Sequence, residues 1–161
     1  MRNKDKIKLW LFLSIGSYFL MAVSFLIMPF GNNVLEKQSP VSIIAGLMFW
    51  IFLIFGIVAQ IITAKLFKEN LKSYQIKMLK NNKKRVGIIS FFENIPAMVA
   101  DILCVLSLIV LIVLLALGST SYICYVLIFV FVFALCMHCV LNGKIYNTLF
   151  TKNYKEKMND E

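Results

Sequence analysis

The sequence predicts an all-α integral membrane protein. It reads as four transmembrane helices in two antiparallel hairpins, with the N-terminus and the C-terminus both cytoplasmic. Three observations predict this. First, hydrophobic residues make up 60% of the 161-residue chain and charged residues 16%, with a mean hydropathy of +0.82. Ordinary soluble proteins hold about 45–50% and 25%. A soluble domain this small would have to expose apolar patches larger than soluble monomers carry, which argues against soluble enzymes, nucleic-acid-binding domains and disordered tails. Second, uncharged stretches reach or exceed the ~20 helical residues that cross a bilayer. Third, 16 of the 17 Lys and Arg residues fall in segments that four spans place on one side, and an excess of basic residues marks the cytoplasmic face. The chain is one four-helix membrane domain over residues 1–161.

The first span, about 9–30, rests on Leu9–Phe30, 22 residues without a charge. Its basic start, Met1-Arg2-Asn3-Lys4, suits a signal peptide. The apolar run is too long for one, however, and no small-x-small cleavage site follows it, so it reads as a retained anchor. Trp10 suits an anchor at headgroup level. The second span, about 41–64, rests on Val41–Ala64, 24 uncharged residues. The loop 65–92 then carries Lys68, Lys72, Lys77 and Lys80 around Phe67, Leu71, Tyr74 and Met78, which recur at helical spacing. That pattern is a basic amphipathic extension lying along the inner leaflet. Lys83-Lys84-Arg85 follows it, after Asn81-Asn82. Each basic residue near an anionic surface contributes on the order of 1 kcal/mol, so the implied partner is a bilayer with an anionic inner leaflet. The same basic patch could dock a membrane-protein partner or a second copy of the chain. No nucleic-acid partner is implied.

Ile102–Gly143 runs 42 residues without a formal charge, long enough for two spans. Gly118-Ser119-Thr120-Ser121 reads as the turn between them, giving a third span of about 96–117 and a fourth of 122–141. Glu93-Asn94-Ile95-Pro96 opens the third, since acids and proline suit a helix N-terminus. Tyr122 and Tyr125 suit the outer boundary of the fourth. The cytoplasmic tail covers 142–161. Lysine outnumbers arginine 15 to 2, a bias associated with AT-rich bacterial genomes. With the four spans, the expected location is a bacterial plasma membrane.

Polar residues inside spans are functional candidates by default, because an acid near a span centre costs about 2.5–3.5 kcal/mol on insertion scales. Here they are Ser14, Gln60, Asp101, Ser107, His138 and the cysteines, with Glu93 at the mouth of the third span. Asp101 and His138 are equidistant from a turn centred between Ser119 and Thr120, so they should lie level on neighbouring helices. Gln60 and Ser14 fall at a similar depth. Two readings stand. One is hydrogen-bonding glue, averaging about 0.6 kcal/mol per contact in measured cases. The other is a proton, cation or headgroup site, since histidine changes charge near physiological pH and a carboxylate favours its charged form.

Cys136-Met137-His138-Cys139 is a CxxC. With no second such pair, it lacks the partners for a closed zinc site. The simplest reading is that all four cysteines are buried and inert. The motif resembles the fourth-helix CxxC of the vitamin K epoxide reductase family of four-helix membrane oxidoreductases. That resemblance implies a thiol oxidoreductase using Cys136 and Cys139 with a quinone, although no cysteine occupies the loop 31–40. Ala97-Met98-Val99-Ala100-Asp101 resembles the alanine-to-aspartate spacing of RDD-type membrane proteins, with Asn94 where that pattern has arginine. No phosphate-binding glycine loop, HExxH or GxSxG elbow occurs. The chain therefore reads as a non-catalytic accessory, immunity-type or transport-associated component, with no cofactor and no metal. The alternatives are the oxidoreductase and a small proton- or cation-coupled carrier centred on Asp101 and His138.

Overall fold

A computed structural model describes residues 3–28, 40–70, 94–118, 121–143, 145–146 and 149. It is all-helical over these residues. The elements are α1 (Asn3–Ile27), α2 (Pro40–Asn70), α3 (Ile95–Ala116) and α4 (Tyr122–Leu141). All four are long and apolar enough to cross a membrane. The ends of α3 and α4 fall within one residue of the predicted spans. The helices α1 and α2 run past the apolar stretches into charged flanks, because a helix satisfies its own backbone on either side of the bilayer boundary. Phe67 and Lys68 thus belong to α2. The rest of the expected amphipathic extension, and Glu93, lie outside the described residues.

The helices pack as a row. The central helices are α1 and α4, with α2 flanking α1 and α3 flanking α4. Burial follows that order. Of the apolar stretch in each helix, 39% is buried in α1, 22% in α4, and 11% in both α2 and α3. Ile7, Leu11, Ser14, Tyr18 and Met21 are buried at alternating steps of four and three residues, and Ser17 and Ser24 are buried as well. This gives α1 the wide buried stripe that two neighbours demand.

Small residues line the contacts: Ala45 and Ala59 on α2, Ala97, Ala100 and Ser107 on α3, and Ala134 on α4 are buried. Many large aliphatic and aromatic residues point the other way, with Trp50, Ile51, Ile61, Ile112 and Leu115 more than half exposed. In a lipid solvent burial of Leu or Ile gains little, so close backbone approach through small residues drives association. Ring contacts fill the seams. Phe19 meets Phe129 and Phe133 on α4 edge-on at 5.9 and 5.5 Å, and Phe25 meets Phe49 on α2 at 5.7 Å. Gly118 follows α3 at φ 73°, the left-handed conformation that glycine adopts without strain. Beyond α4, Tyr146 and Leu149 pack against the core cluster of Leu11, Met21 and Met137. Burial pushes the Tyr146 phenol up, so it stays neutral at ordinary pH.

Candidate functional site

The site is built at one end of the α3–α4 seam. Asn94 caps α3: its Oδ1 accepts from the backbone N–H of Ala97 at 3.3 Å. Its Nδ2 donates across the seam to the carbonyl of Leu141, the last residue of α4, at 2.8 Å. One carboxamide therefore satisfies an orphan donor of α3 and an orphan acceptor of α4, and it holds the two ends together. Two turns into α3, Asp101 Oδ1 lies 2.5 Å from His138 Nδ1. Asn142, one turn beyond His138, places its Nδ2 2.9 Å from the same nitrogen.

A ring nitrogen has one lone pair or one proton to offer. An N···O separation of 2.5 Å needs a proton between the two atoms; where Nδ1–H donates it to the Asp101 carboxylate, that nitrogen has no lone pair left for the Asn142 amide, and Nε2 carries the ring's remaining lone pair. The His138 side chain is 50% exposed and that of Asp101 22%. The pair therefore sits in the surface of the α3–α4 seam, not sealed inside the row. It can hold the imidazole in one tautomer and present Nε2 as an acceptor, or as a donor once the ring is charged.

Gln60 does not join this pair. Its Oε1 accepts from the Tyr18 hydroxyl at 3.0 Å, across the α1–α2 seam. Gly56 makes room for that tyrosine, since a Cβ there would fall 2.7 Å from Tyr18 Cε1. Ser14 is fully enclosed beside the Tyr18 hydroxyl, and among the described residues its own hydroxyl has no partner within hydrogen-bond distance. Three other enclosed helical hydroxyls behave differently. Ser24, Thr63 and Ser107 each donate to a carbonyl three or four residues back, at 2.6–2.7 Å. Ser14→Ala is therefore expected to raise thermal stability in detergent micelles, by about 1 kcal/mol, the lower end of what an unsatisfied buried polar group costs. A loss of stability would show that the hydroxyl has a partner in the membrane.

The residues predicted to share one depth thus fall into two hydrogen-bonded pairs and one lone hydroxyl. Asp101 with His138 and Gln60 with Tyr18 sit on different seams of the row. Tyr18, Asn94 and Asn142 were not among the predicted site residues. The only sequence signal for Asn94 is the preference for asparagine at an N-cap, here two residues before a proline. The cysteines correct the expectation of four buried thiols. Cys124 is buried, Cys104 and Cys136 are intermediate, and Cys139 is exposed, because α4 turns that face away from its neighbours. All four are free. Among the described residues no group of three metal-ligating side chains occurs. Of the basic patch, Lys68 is exposed on the last turn of α2, while Lys72, Lys77, Lys80, Lys83, Lys84 and Arg85 lie outside the described residues. Compared with known protein families, curated proteins and solved structures, the chain matches none.

Proposed function

We propose that this chain is a small non-catalytic component of a bacterial plasma membrane, of accessory, immunity or transport-associated type, acting through helix packing and its basic inner face. In this reading the four spans form two antiparallel hairpins with both termini in the cytoplasm. Two sets of contacts support the hairpins. Tyr18 meets Gln60 while Phe25 meets Phe49, and Asn94 meets Leu141 while Asp101 meets His138. In both sets, later residues of one helix meet earlier residues of the other. The gathering of 16 of 17 basic residues on one side supports the orientation.

The observation that carries the non-catalytic reading is the pairing of the in-span polar groups. Asp101 is held by His138 and Gln60 by Tyr18, so these groups link helices instead of converging on a shared cavity. A second reading, a proton or cation site at Asp101 and His138, is favoured by the half-exposed imidazole. Reconstituted vesicles with a trapped pH dye separate the two. The structural reading expects proton leak equal to that of empty vesicles. It also expects a double-mutant cycle of Asp101→Asn and His138→Gln to give a coupling of about 0.6 kcal/mol, with a ceiling near 1.7. Proton flux abolished by Asp101→Asn in a folded protein would establish the carrier instead. Loss of in vivo function in the Cys136→Ser, Cys139→Ser double variant, with folding intact, would establish the oxidoreductase.

A further inference from the structure

We propose that the groove between α1 and α2 is a binding site for one acyl chain of an anionic phospholipid, taken from the leaflet on the basic side of the membrane. This rests on the membrane reading above but not on the accessory role.

The groove holds about 310 Å³ and is lined by Leu9, Phe12, Leu13, Gly16, Ser17 and Leu20 of α1 and by Phe52 and Phe55 of α2. Its lining is almost wholly apolar. From Leu9 to Leu20 the helix rises roughly 16 Å, close to the ~15 Å depth of one leaflet's hydrocarbon. The groove therefore has the length of a chain that starts at the headgroups and ends at the bilayer midplane.

Its mouth is basic. Leu9 follows Lys6 and Lys8 on α1. The Tyr18–Gln60 bond, with Phe25 on Phe49 setting the sense of the two helices, brings the end of α2 beside the start of α1. Counting outward from that bond, Leu9 lies roughly 13 Å along α1 and Lys68 roughly 12 Å along α2. Lys6, Lys65 and Lys68 are exposed. Among the described residues these three lysines outnumber the two acids at this end, Asp5 and Glu69. A lipid phosphate at the mouth gains from each lysine near it.

Gly16 supplies an independent indication. A glycine in a helix interior is destabilising by roughly 0.5–1 kcal/mol relative to alanine. At Gly56 the close approach of Tyr18 explains it. At Gly16 a Cβ would meet nothing within 4 Å, so no packing among the described residues requires a glycine. The missing side chain instead leaves open the floor of the groove.

The test uses the full chain purified in detergent micelles, titrated with dioleoyl phosphatidylglycerol or dioleoyl phosphatidylcholine. Retained lipid is read by native mass spectrometry and by the rise in Tm. Phosphatidylglycerol is expected to bind more tightly than phosphatidylcholine. Gly16→Leu, which fills the groove, is expected to weaken it about tenfold, the effect of roughly two methylenes losing their contacts. Gly46→Leu, equally open but outside the groove, should leave binding unchanged. Lys65→Gln with Lys68→Gln should remove the preference for phosphatidylglycerol while sparing phosphatidylcholine binding, and this holds even if Gly16→Leu fails to fold. Equal binding of the two lipids by the wild type, or unchanged binding in a folded Gly16→Leu, overturns the proposal. A chain that stays monomeric in water without detergent would overturn the membrane reading itself.

Discussion

Gly56→Ala is expected to destabilise the protein by about 1–3 kcal/mol, the range for overpacking a filled contact. The new Cβ would fall 2.7, 3.0 and 3.1 Å from three atoms of the Tyr18 ring. That ring cannot simply swing aside. Tyr18 is buried, and its hydroxyl is committed to Gln60 on the same neighbouring helix. The sign of the effect is diagnostic, because helix propensity alone would make alanine the better residue. Gly46→Ala, where a Cβ meets nothing within 4 Å, is the control and should be neutral or stabilising. The two effects in Gly56→Ala and Tyr18→Phe should not add, since the residues touch. Without the hydroxyl the ring is freer to move, so Gly56→Ala should cost less in that background. Thermal unfolding in micelles measures all four proteins. Equal stabilities of Gly56→Ala and Gly46→Ala would show that α1 and α2 do not cross at this point.

Asn94→Ala should have an effect of similar size, about 2 kcal/mol, made of a lost N-cap worth about 1 and a stranded carbonyl worth about as much. The same substitution removes the acceptor for Ala97 N–H and the donor for Leu141 O. Asn94→Ser can still cap α3 but does not reach Leu141, so it should recover about half of the loss. The damage should also be local. Amide exchange in the last turn of α4 is expected to speed up, while exchange in α2 stays as it was. Uniform acceleration over all four helices would show that Asn94 acts through global stability and not through the seam it bridges.

These two residues also show where the sequence stops being informative. The spans were legible because a bilayer leaves a helix few alternatives, and about twenty uncharged residues are a signal that packing does not overwrite. The Asp101–His138 contact was legible because a short turn at Gly118 fixes the register of α3 on α4, so distance from the turn could be counted on both sides. No such count reaches Tyr18 and Gln60. The connection between α1 and α2 spans residues 28–39, and its length does not fix how the two helices slide. The Leu141 partner of Asn94 is a backbone carbonyl, which every residue has. The ordinary guide to a helix face, apolar periodicity, carries little in α1, because lipid-facing and buried positions are both apolar. The interface is marked instead by Ser14, Ser17, Ser24 and the alanines, small residues whose meaning depends on the solvent being lipid.

The orientation of the four spans underlies both the basic inner face and the cytoplasmic termini proposed above. Single cysteines placed at Lys6, Ser39 and Lys152, in a chain whose four native cysteines are replaced by serine, test it directly with a membrane-impermeant maleimide. In intact cells Ser39→Cys should be labelled, while Lys6→Cys and Lys152→Cys should react only after the membrane is permeabilised. Labelling of Lys6→Cys or Lys152→Cys in intact cells, or protection of Ser39→Cys, would contradict the topology that the basic residues predict.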